Sequence, residues 1–543
     1  MTPHAFRLAV SSGCHGPRAS RPPYAPNVAS APRTLDLLAA GAGVAAAVLG
    51  AGLGELTAAV VAPSASPFAV IGGGMIDIAP PWGKDLAISL FGTNDKAALL
   101  VGIAILLLAV AGAAGVLERR RPPWGRMILA GLGVIGAVVS MTRADADVLS
   151  PLPSFVAGAV AVIVGALLIA RLRRPAATAG DAAAPETPGP TRRNVLVLSG
   201  LAVVAGALAA VGSAAVRGGA QAATVVRSAL RLPTPATTTT VPATAELGID
   251  GLAPVITPSA DFYRIDTALV VPQVDLSSWS LRIHGLVEEE VVVRWDDLVA
   301  LPQRETVATL VCVSNEVGGD LIGTARWLGV PIRDLLARAK PTADADMVLS
   351  HSIDGFTAST PLEALTDERD ALLAIGMNGE PLPIEHGFPV RMVVPGLYGY
   401  VSATKWVTEL EVTQYAVAEG YWTSRGWSAR GPVKPASRID VPRAGARVAA
   451  GSTVIAGVAW HNHVGVAGVE VQIDDGAWIP AKLATAISAD TWVQWSVPWD
   501  ATSGTHTVRC RATSASGELQ TEQRAAPAPD GATGWDELTL TVA

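Results

Sequence analysis

The chain has 543 residues, 50% of them apolar and only 16% charged, with a net charge of −7 and a mean hydropathy of +0.39. Soluble domains carry about 25% charged residues, so this composition excludes a wholly soluble or a disordered chain and points to one partly in lipid. The long apolar runs lie before residue 215, and the remainder reads as soluble, which also argues against a pure transporter. No basic run follows residue 217, which excludes nucleic acid as a partner.

Residues 1–33 hold Arg7, Arg18, Arg21 and Arg33 among Pro and Ser and read as a basic cytoplasmic arm. Apolar runs at 37–61, 97–117, 127–141, 155–170 and 194–214 predict five membrane spans, the third and fourth of them short. The stretch 68–79 is too short to span and reads as interfacial or re-entrant. Basic clusters at 118–121, 171–174 and 192–193 alternate with loops poor in Arg and Lys. Placing the basic loops inside puts the N-terminus in the cytoplasm and the C-terminal half outside. Arg192-Arg193 before the last apolar run has two readings, ordinary inside-positive flanking or a twin-arginine export signal. No histidine lies between 16 and 283, so the spans cannot hold a bis-histidine haem. Glu55 is the clear intramembrane acid, either functional or packed near a span end.

Residues 218–257, rich in Ala, Thr, Val and Pro, read as a tether. Beyond Asp261 the pattern is mixed α and β. Strands are predicted over 279–285 and 401–413, a strand followed by a short helix over 291–302, a turn and Pro-led helix over 329–339, a hairpin over 345–361, and a strand with a Gly-rich turn over 389–400. From 414 onward, alternating strands broken by Gly, Asp and Ser predict a β-sandwich. Three widely spaced cysteines, Cys14, Cys312 and Cys510, form neither a disulfide framework nor a zinc cluster. Cys510 alternates within a strand as a packing residue. Cys312 is delivered by a strand into a polar, Gly-rich segment. Its spacing alone leaves three readings open: nucleophile, metal thiolate or core residue. No partner at zinc spacing is present, but one thiolate suffices where a cofactor supplies the other soft ligands.

The segments LVCVSNEVGGDLIGTARWLGVPIRDLL at 310–336, HGFPVRMVVPGLYGYVSATKWVTELEV at 386–412 and GYWTSRGW at 420–427 resemble those of the sulfite-oxidase-fold molybdenum oxidoreductases, in particular membrane-anchored, actinobacterial-type members. GAWIPAKL at 476–483 and GATGWDEL at 531–538 add to the resemblance, which covers about 260–535. It implies molybdenum and molybdopterin as cofactors. Cys312 matches the molybdenum-ligating cysteine and Asn315 the asparagine of the same turn. His386, Arg391 and Lys405 match residues that hold the pterin and its phosphate, and Ser402 lies in the same segment. FYRIDTA at 262–268 resembles a cofactor-contacting segment, with Tyr263, Arg264 and Asp266 as candidates, and Arg326, Trp327 and His351 lie within reach in this reading. A phosphate needs fixed cationic donors, which an Arg, Lys and His cluster provides.

The implied reaction is two-electron transfer of an oxygen atom to or from a small-molecule substrate. Electrons would pass to or from a separate carrier, a cytochrome or a quinone-linked protein, because no b5-type domain and no C-x-x-C-H motif is apparent. Sulfite-oxidising members place arginines just after the cysteine. Here Val313, Ser314, Asn315 and Glu316 follow, and Glu316 would repel a dianion unless Arg425 or Arg430 reaches the site. Reduction of a neutral sulfoxide or N-oxide is the alternative reading left open. The resemblance further implies homodimerisation through the C-terminal sandwich.

The expected organisation is multidomain. A basic arm (1–33) is followed by an all-α four-span module (34–174), a linker (175–190), a fifth span (191–217) and an exported tether (218–257). A mixed α+β molybdopterin-binding catalytic domain (258–413) and an immunoglobulin-like domain (414–543) complete it. The competing readings are a metal-free scaffold of the same fold, a membrane centre with an exported sensor, and a thiol enzyme using Cys312 directly. The last needs a base or cation at a diagnostic spacing, and none is evident.

Overall fold

The computed structural model describes residues 32–78, 95–143, 146–173, 192–219 and 222–543. The basic arm with Cys14, and the linker at 175–190, lie outside the described residues. The N-terminal part is helical: α1 (Pro32–Val61), α2 (Pro67–Ile78), α3 (Asp95–Arg120), α4 (Trp124–Met141), α5 (Leu152–Arg173) and α6 (Arg192–Gly219). Five of these are long and apolar enough to cross a membrane. The shortest, Trp124–Met141, has 18 residues, about 27 Å of helix against a hydrocarbon core of about 30 Å. It runs three residues further toward the N-terminus than its apolar run, because Trp124 and Gly125 continue the helix from Pro123. The short α2 fits the interfacial piece expected over 68–79.

Small residues set the helix spacing. A Cβ on Gly52 of α1 would strike the backbone of Gly206 of α6, and one on Gly43 would strike Ala111 of α3. Backbones in near contact gain dispersion energy where lipid offers no hydrophobic drive. Glu55 is structural: its carboxylate accepts from Ser66 Oγ at 2.7 Å and Phe68 N at 3.3 Å, at the entry to α2. At the opposite end, Asp36 pairs with Arg119 and Arg120, and Glu118 with Arg126.

The stretch expected as a tether differs from that reading. After α7 (Ala222–Ala229), Ala236 N donates to Gln303 O at 2.7 Å, and β1 (Thr237–Thr238) adds a parallel edge strand to the next domain. Ala245, Leu252 and Val255 are buried there. Apolar residues at irregular spacing bury without regular secondary structure, which periodicity does not register.

The mixed domain contains β2 (Ser280–Gly285), β3 (Val291–Arg294), β4 (Arg304–Val311), β5 (Ile322–Pro331), β6 (Met347–Ser352), β7 (Thr357–Pro361), β8 (Leu372–Met377), β9 (Glu380–Pro381), β10 (Arg391–Val393) and β11 (Val407–Thr413). Two sheets form, ordered β1-β4-β5-β8-β10 and β3-β2-β11-β6-β7. Short helices α8 (Trp295–Ala300) and α9 (Ile332–Ala339) pack on them, α9 through Ile332, Leu335, Leu336 and Ala339. All six residues of β8 are buried, as an apolar run covered on both faces must be. Leu281, Ile283, Leu336, Leu373, Ile375, Met392 and Leu410 belong to one core. The hairpin expected over 345–361 is β6–β7.

The second β unit begins at β12 (Ala436–Val441), not at 414. Residues 414–435 wrap the first domain, with Trp422 and Trp427 against its core. The sandwich is completed by β13 (Arg447–Val448), β14 (Gly451–Trp460), β15 (Val466–Ile473), β16 (Ile479–Pro480), β17 (Lys482–Leu483), β18 (Val493–Ala501), β19 (Gly504–Ser514) and β20 (Asp536–Val542). Its sheets are β12-β14-β18-β17 and β13-β20-β19-β15-β16. Cys510 lies in its core beside Val471, Trp495 and Leu540.

Candidate active site

Strand β4 is buried over its last six residues and ends at Val311, so Cys312 opens the β4–β5 connection deep in the domain. Cys312 N donates to Leu321 O at 2.9 Å, and Asn315 N donates to Cys312 O at 3.0 Å. Asn315 Oδ1 accepts from Leu321 N at 2.9 Å, closing the loop on itself. Cys312 is 7% exposed. Burial pushes its thiol up, and the Ser314 amide and hydroxyl oppose that shift.

Two buried cations and a histidine gather in the same domain. His386 ends a 3₁₀ turn (Ile384–His386), Arg391 begins β10, and Lys405 precedes β11; all three are buried. Gly387 joins the first two with φ +109°, and a Cβ there would stand 3.0 Å from Arg391 Cβ and 3.1 Å from Lys405 Cβ. Lys405 Nζ bonds Asp266 Oδ2 at 2.7 Å and Glu385 O at 3.0 Å. Arg264 Nε meets the same carboxylate at 2.8 Å. Arg391 donates to His386 O at 3.2 Å, Met392 O at 3.3 Å and Ala403 O at 3.4 Å, and its guanidinium lies over the Trp327 ring. Among the described residues, no carboxylate pairs with Arg391.

The electrostatics follow from burial. It draws Arg391 down to about 10. Lys405 falls to about 8, although Asp266 opposes the shift. His386 falls to about 3, through burial and then the charges of Arg391 and Lys405. Burial pushes the Tyr263 phenol up, and the Arg391 charge opposes that shift. Tyr398 is raised to about 12, mainly by burial, with Cys312 contributing.

The structure joins Arg264, Asp266 and Lys405 through one carboxylate and sets His386 and Arg391 next to them. Phe262 stacks on Tyr263 and stands edge-on to His386, and Cys312 and Asn315 share the loop at the end of β4. The Ser402 hydroxyl donates instead to Tyr398 O at 2.9 Å and Leu397 O at 3.3 Å, and so holds its own turn. Trp327 forms the floor. Arg326, one residue earlier in the strand, faces the other way and pairs with Glu305 at 3.1 Å. His351 bonds Glu411 at 3.2 Å, across the β6–β11 pair. Arg425 stacks on Tyr421, and Arg430 pairs with Glu363 at 3.5 Å. Sequence reasoning missed Tyr398 and Phe262. The Phe262 ring stands edge-on to Trp327 at 5.7 Å and to His386 at 5.7 Å. Their only signal was position, inside motifs already singled out for their charged members.

The profile of the family "Oxidoreductase molybdopterin binding domain" matches residues 268–422, and that of "Bacterial Ig domain" matches 435–509. The uncharacterized oxidoreductase YuiH of Bacillus subtilis (strain 168) is 34% identical over 157 residues, covering 29% of this chain and 76% of that protein. The chain belongs to the molybdopterin-binding oxidoreductase family. Mitochondrial sulfite oxidase of Mus musculus is 32% identical over 271 residues, 42% of this chain and 49% of that one. Nitrate reductase [NADH] 2 of Phaseolus vulgaris is 32% identical over 178 residues, 28% of this chain and 20% of that one. The chain thus spans about half the length of the sulfite oxidase it matches.

As a member of this family the chain is an oxidoreductase, and molybdopterin with its molybdenum is the cofactor. The residues present fit that group. The interior holds more positive charge than Asp266 neutralises, and a buried unpaired cation is costly. An anionic phosphate removes that cost. A lone buried thiol with no further His, Cys, Asp or Glu grouped as a metal site among the described residues suits a metal whose other ligands come from the cofactor.

Proposed function

We propose that this oxidoreductase is anchored in the cytoplasmic membrane by its five apolar helices, with its N-terminus inside and its catalytic domain on the outer face. It moves an oxygen atom to or from a small substrate and exchanges electrons with a separate carrier, a cytochrome or a quinone-linked protein. Cys312 is the protein ligand to molybdenum. Arg391, Lys405 and His386 hold the pterin and its phosphate, with Tyr263, Arg264 and Asp266 along the same wall. Asn315 closes the ligand loop, and Ser402 fixes the turn that carries Tyr398.

The observation that carries this reading is a buried His386–Arg391–Lys405 cluster in the same domain as a buried, unpaired Cys312 thiol. When bound, the cofactor supplies two-electron redox chemistry; the chain supplies placement, electrostatics and exclusion of water. Phenols of Tyr263 and Tyr398 lie within electrostatic reach of Cys312, and the carboxylate on the ligand loop, Glu316, is exposed. The charges at the ends of the spans support the orientation, with Arg119, Arg120, Arg126 and Arg173 at one end of α3, α4 and α5.

The test is molybdenum and pterin content of the full-length, detergent-purified protein from a host that makes the cofactor. About one of each per chain is expected. Neither, from a folded and exported protein, overturns the site assignment. External protease should remove the catalytic domain from intact spheroplasts, and protection would overturn the orientation. Homodimerisation, which the resemblance implies, is read from sedimentation of the same sample.

A further inference from the structure

We propose that Arg438, on β12 of the immunoglobulin-like domain, is a positioning residue for the Cys312 loop, so that this domain helps aim the thiolate of its own chain. The inference rests on Cys312 being the metal's protein ligand.

The loop from Cys312 to Leu321 is held in two ways. Its inner bonds, through Asn315 and Leu321, close its base as a continuation of the β4–β5 ladder. Its outer tip is gripped from the second domain. Arg438 Nη1 donates to Gly319 O at 2.8 Å. The same guanidinium is oriented by Asp440, with Nε to Oδ1 at 2.7 Å, and each of the two side chains is 11% exposed. Asp440 Oδ2 also accepts from Ala253 N at 3.1 Å, which ties the pair to the segment below.

Beside it, Asp536 of β20 stands against the neighbouring loop residue. A Cβ on Gly318, where φ is +77°, would lie 2.5 Å from Asp536 Oδ1, so only glycine fits. Asp536 is fixed in turn by Ile439 N at 2.9 Å. One charged donor thus pulls on the tip while a carboxylate abuts it, and a charge-assisted bond is stronger than a neutral one. Leu321 follows the gripped glycine by two residues and carries both the carbonyl that binds Cys312 N and the amide that binds Asn315. The grip therefore reaches the cysteine through two hydrogen bonds. A surface ion pair between domains would do none of this; Arg438 spends a donor on the ligand loop itself.

Arg438→Gln and Arg438→Lys are compared with wild type in the full-length holoenzyme. Arg509→Gln serves as a control in the same domain, where Arg509 bonds Glu537 and Asp475 away from the loop. The readouts are amide hydrogen exchange at Cys312, Gly319 and Leu321, and the electron paramagnetic resonance g-values of the half-reduced metal, normalised to molybdenum content. R438Q should speed exchange about tenfold and shift the g-values. R438K, with one donor group for two acceptors, should fall between, and R509Q should change neither. Wild-type exchange and g-values in R438Q would overturn the proposal, as would equal changes in R509Q. Should R438Q not accumulate, an R438K identical to wild type in both readouts overturns it. A preparation without molybdenum would sink the cofactor assignment, while the exchange comparison still decides the grip.

Discussion

Lys405 gives the sharpest test of the charge cluster. Its ammonium is 9% exposed on the side chain and bonded to Asp266, yet burial takes it from 10.5 to about 8. Holding it charged at neutral pH costs the cofactor-free fold on the order of 3 kcal/mol. The sign follows from linkage. A lysine whose folded value lies below its unfolded one destabilises fully below the folded value, and the cost fades as pH rises from about 8 toward 10.5. Cofactor-free protein should therefore gain stability across that window. Lys405→Met should abolish that part of the slope. The absolute stability of the variant is a poor guide, because Asp266 would be left with Arg264, whose side chain is 43% exposed. The slope difference is the quantity to measure, by thermal unfolding of both proteins in detergent at steps between pH 7 and 10.5. Several degrees of divergence are expected. Parallel curves would mean that the ammonium is solvated and that no phosphate-sized demand for charge exists there. With the cofactor bound, the phosphate holds Lys405 protonated and the wild-type slope should vanish.

His386, drawn down to about 3, is neutral when folded and charged when unfolded in acid; stability should fall as pH drops from 6.5 toward 3, and His386→Asn should flatten that limb in the same unfolding assay. Arg391→Met should lower pterin content more than tenfold, since it removes a bidentate-capable donor from the interior, while leaving the Cys312 loop's exchange protection unchanged; retained pterin would refute its role. Cys312→Ser should keep pterin but lose the part of the sulfur-to-metal absorption that the cysteine contributes and cut turnover by orders of magnitude, and an unaltered spectrum would refute ligation. Gly387→Ala, at φ +109° with two side chains near 3 Å, should cost about 1–3 kcal/mol in denaturant unfolding.

Periodicity and residue type made much of the architecture legible: five apolar helices, the β6–β7 hairpin, α9 after its proline, and a β-sandwich at the end. They misread 230–257, because Val241, Leu252 and Val255 bury at no regular interval. The sandwich start was placed some twenty residues early, since Trp422 and Trp427 look like strand residues but anchor a wrapping loop. At the site, charged and sulfur-bearing residues announced themselves by chemistry. Aromatic walls did not, because Phe262 and Tyr398 look the same in sequence whether they line a ligand or fill a core. Ser402 shows the converse: its segment was right, but a hydroxyl is short enough to spend itself on its own turn. Arg326 and Trp327 differ only by strand parity, which assigns opposite faces once a register is known.

The packing of the segment after the last apolar helix bears on how the enzyme would meet the electron carrier proposed above. Helix α6 ends at Gly219, and by Arg227 the chain is already bonded to Leu382 O at 2.8 Å and Pro381 O at 2.8 Å. Eight residues separate the two points, a reach of about 12–20 Å. With α6 in a bilayer, the catalytic domain cannot sweep the surrounding space. It rides at a fixed height, and its encounters with anything in the same membrane become a search in two dimensions. A carrier that shares the bilayer is concentrated by that geometry, whereas a soluble one must find a target held within a protein's radius of the lipid.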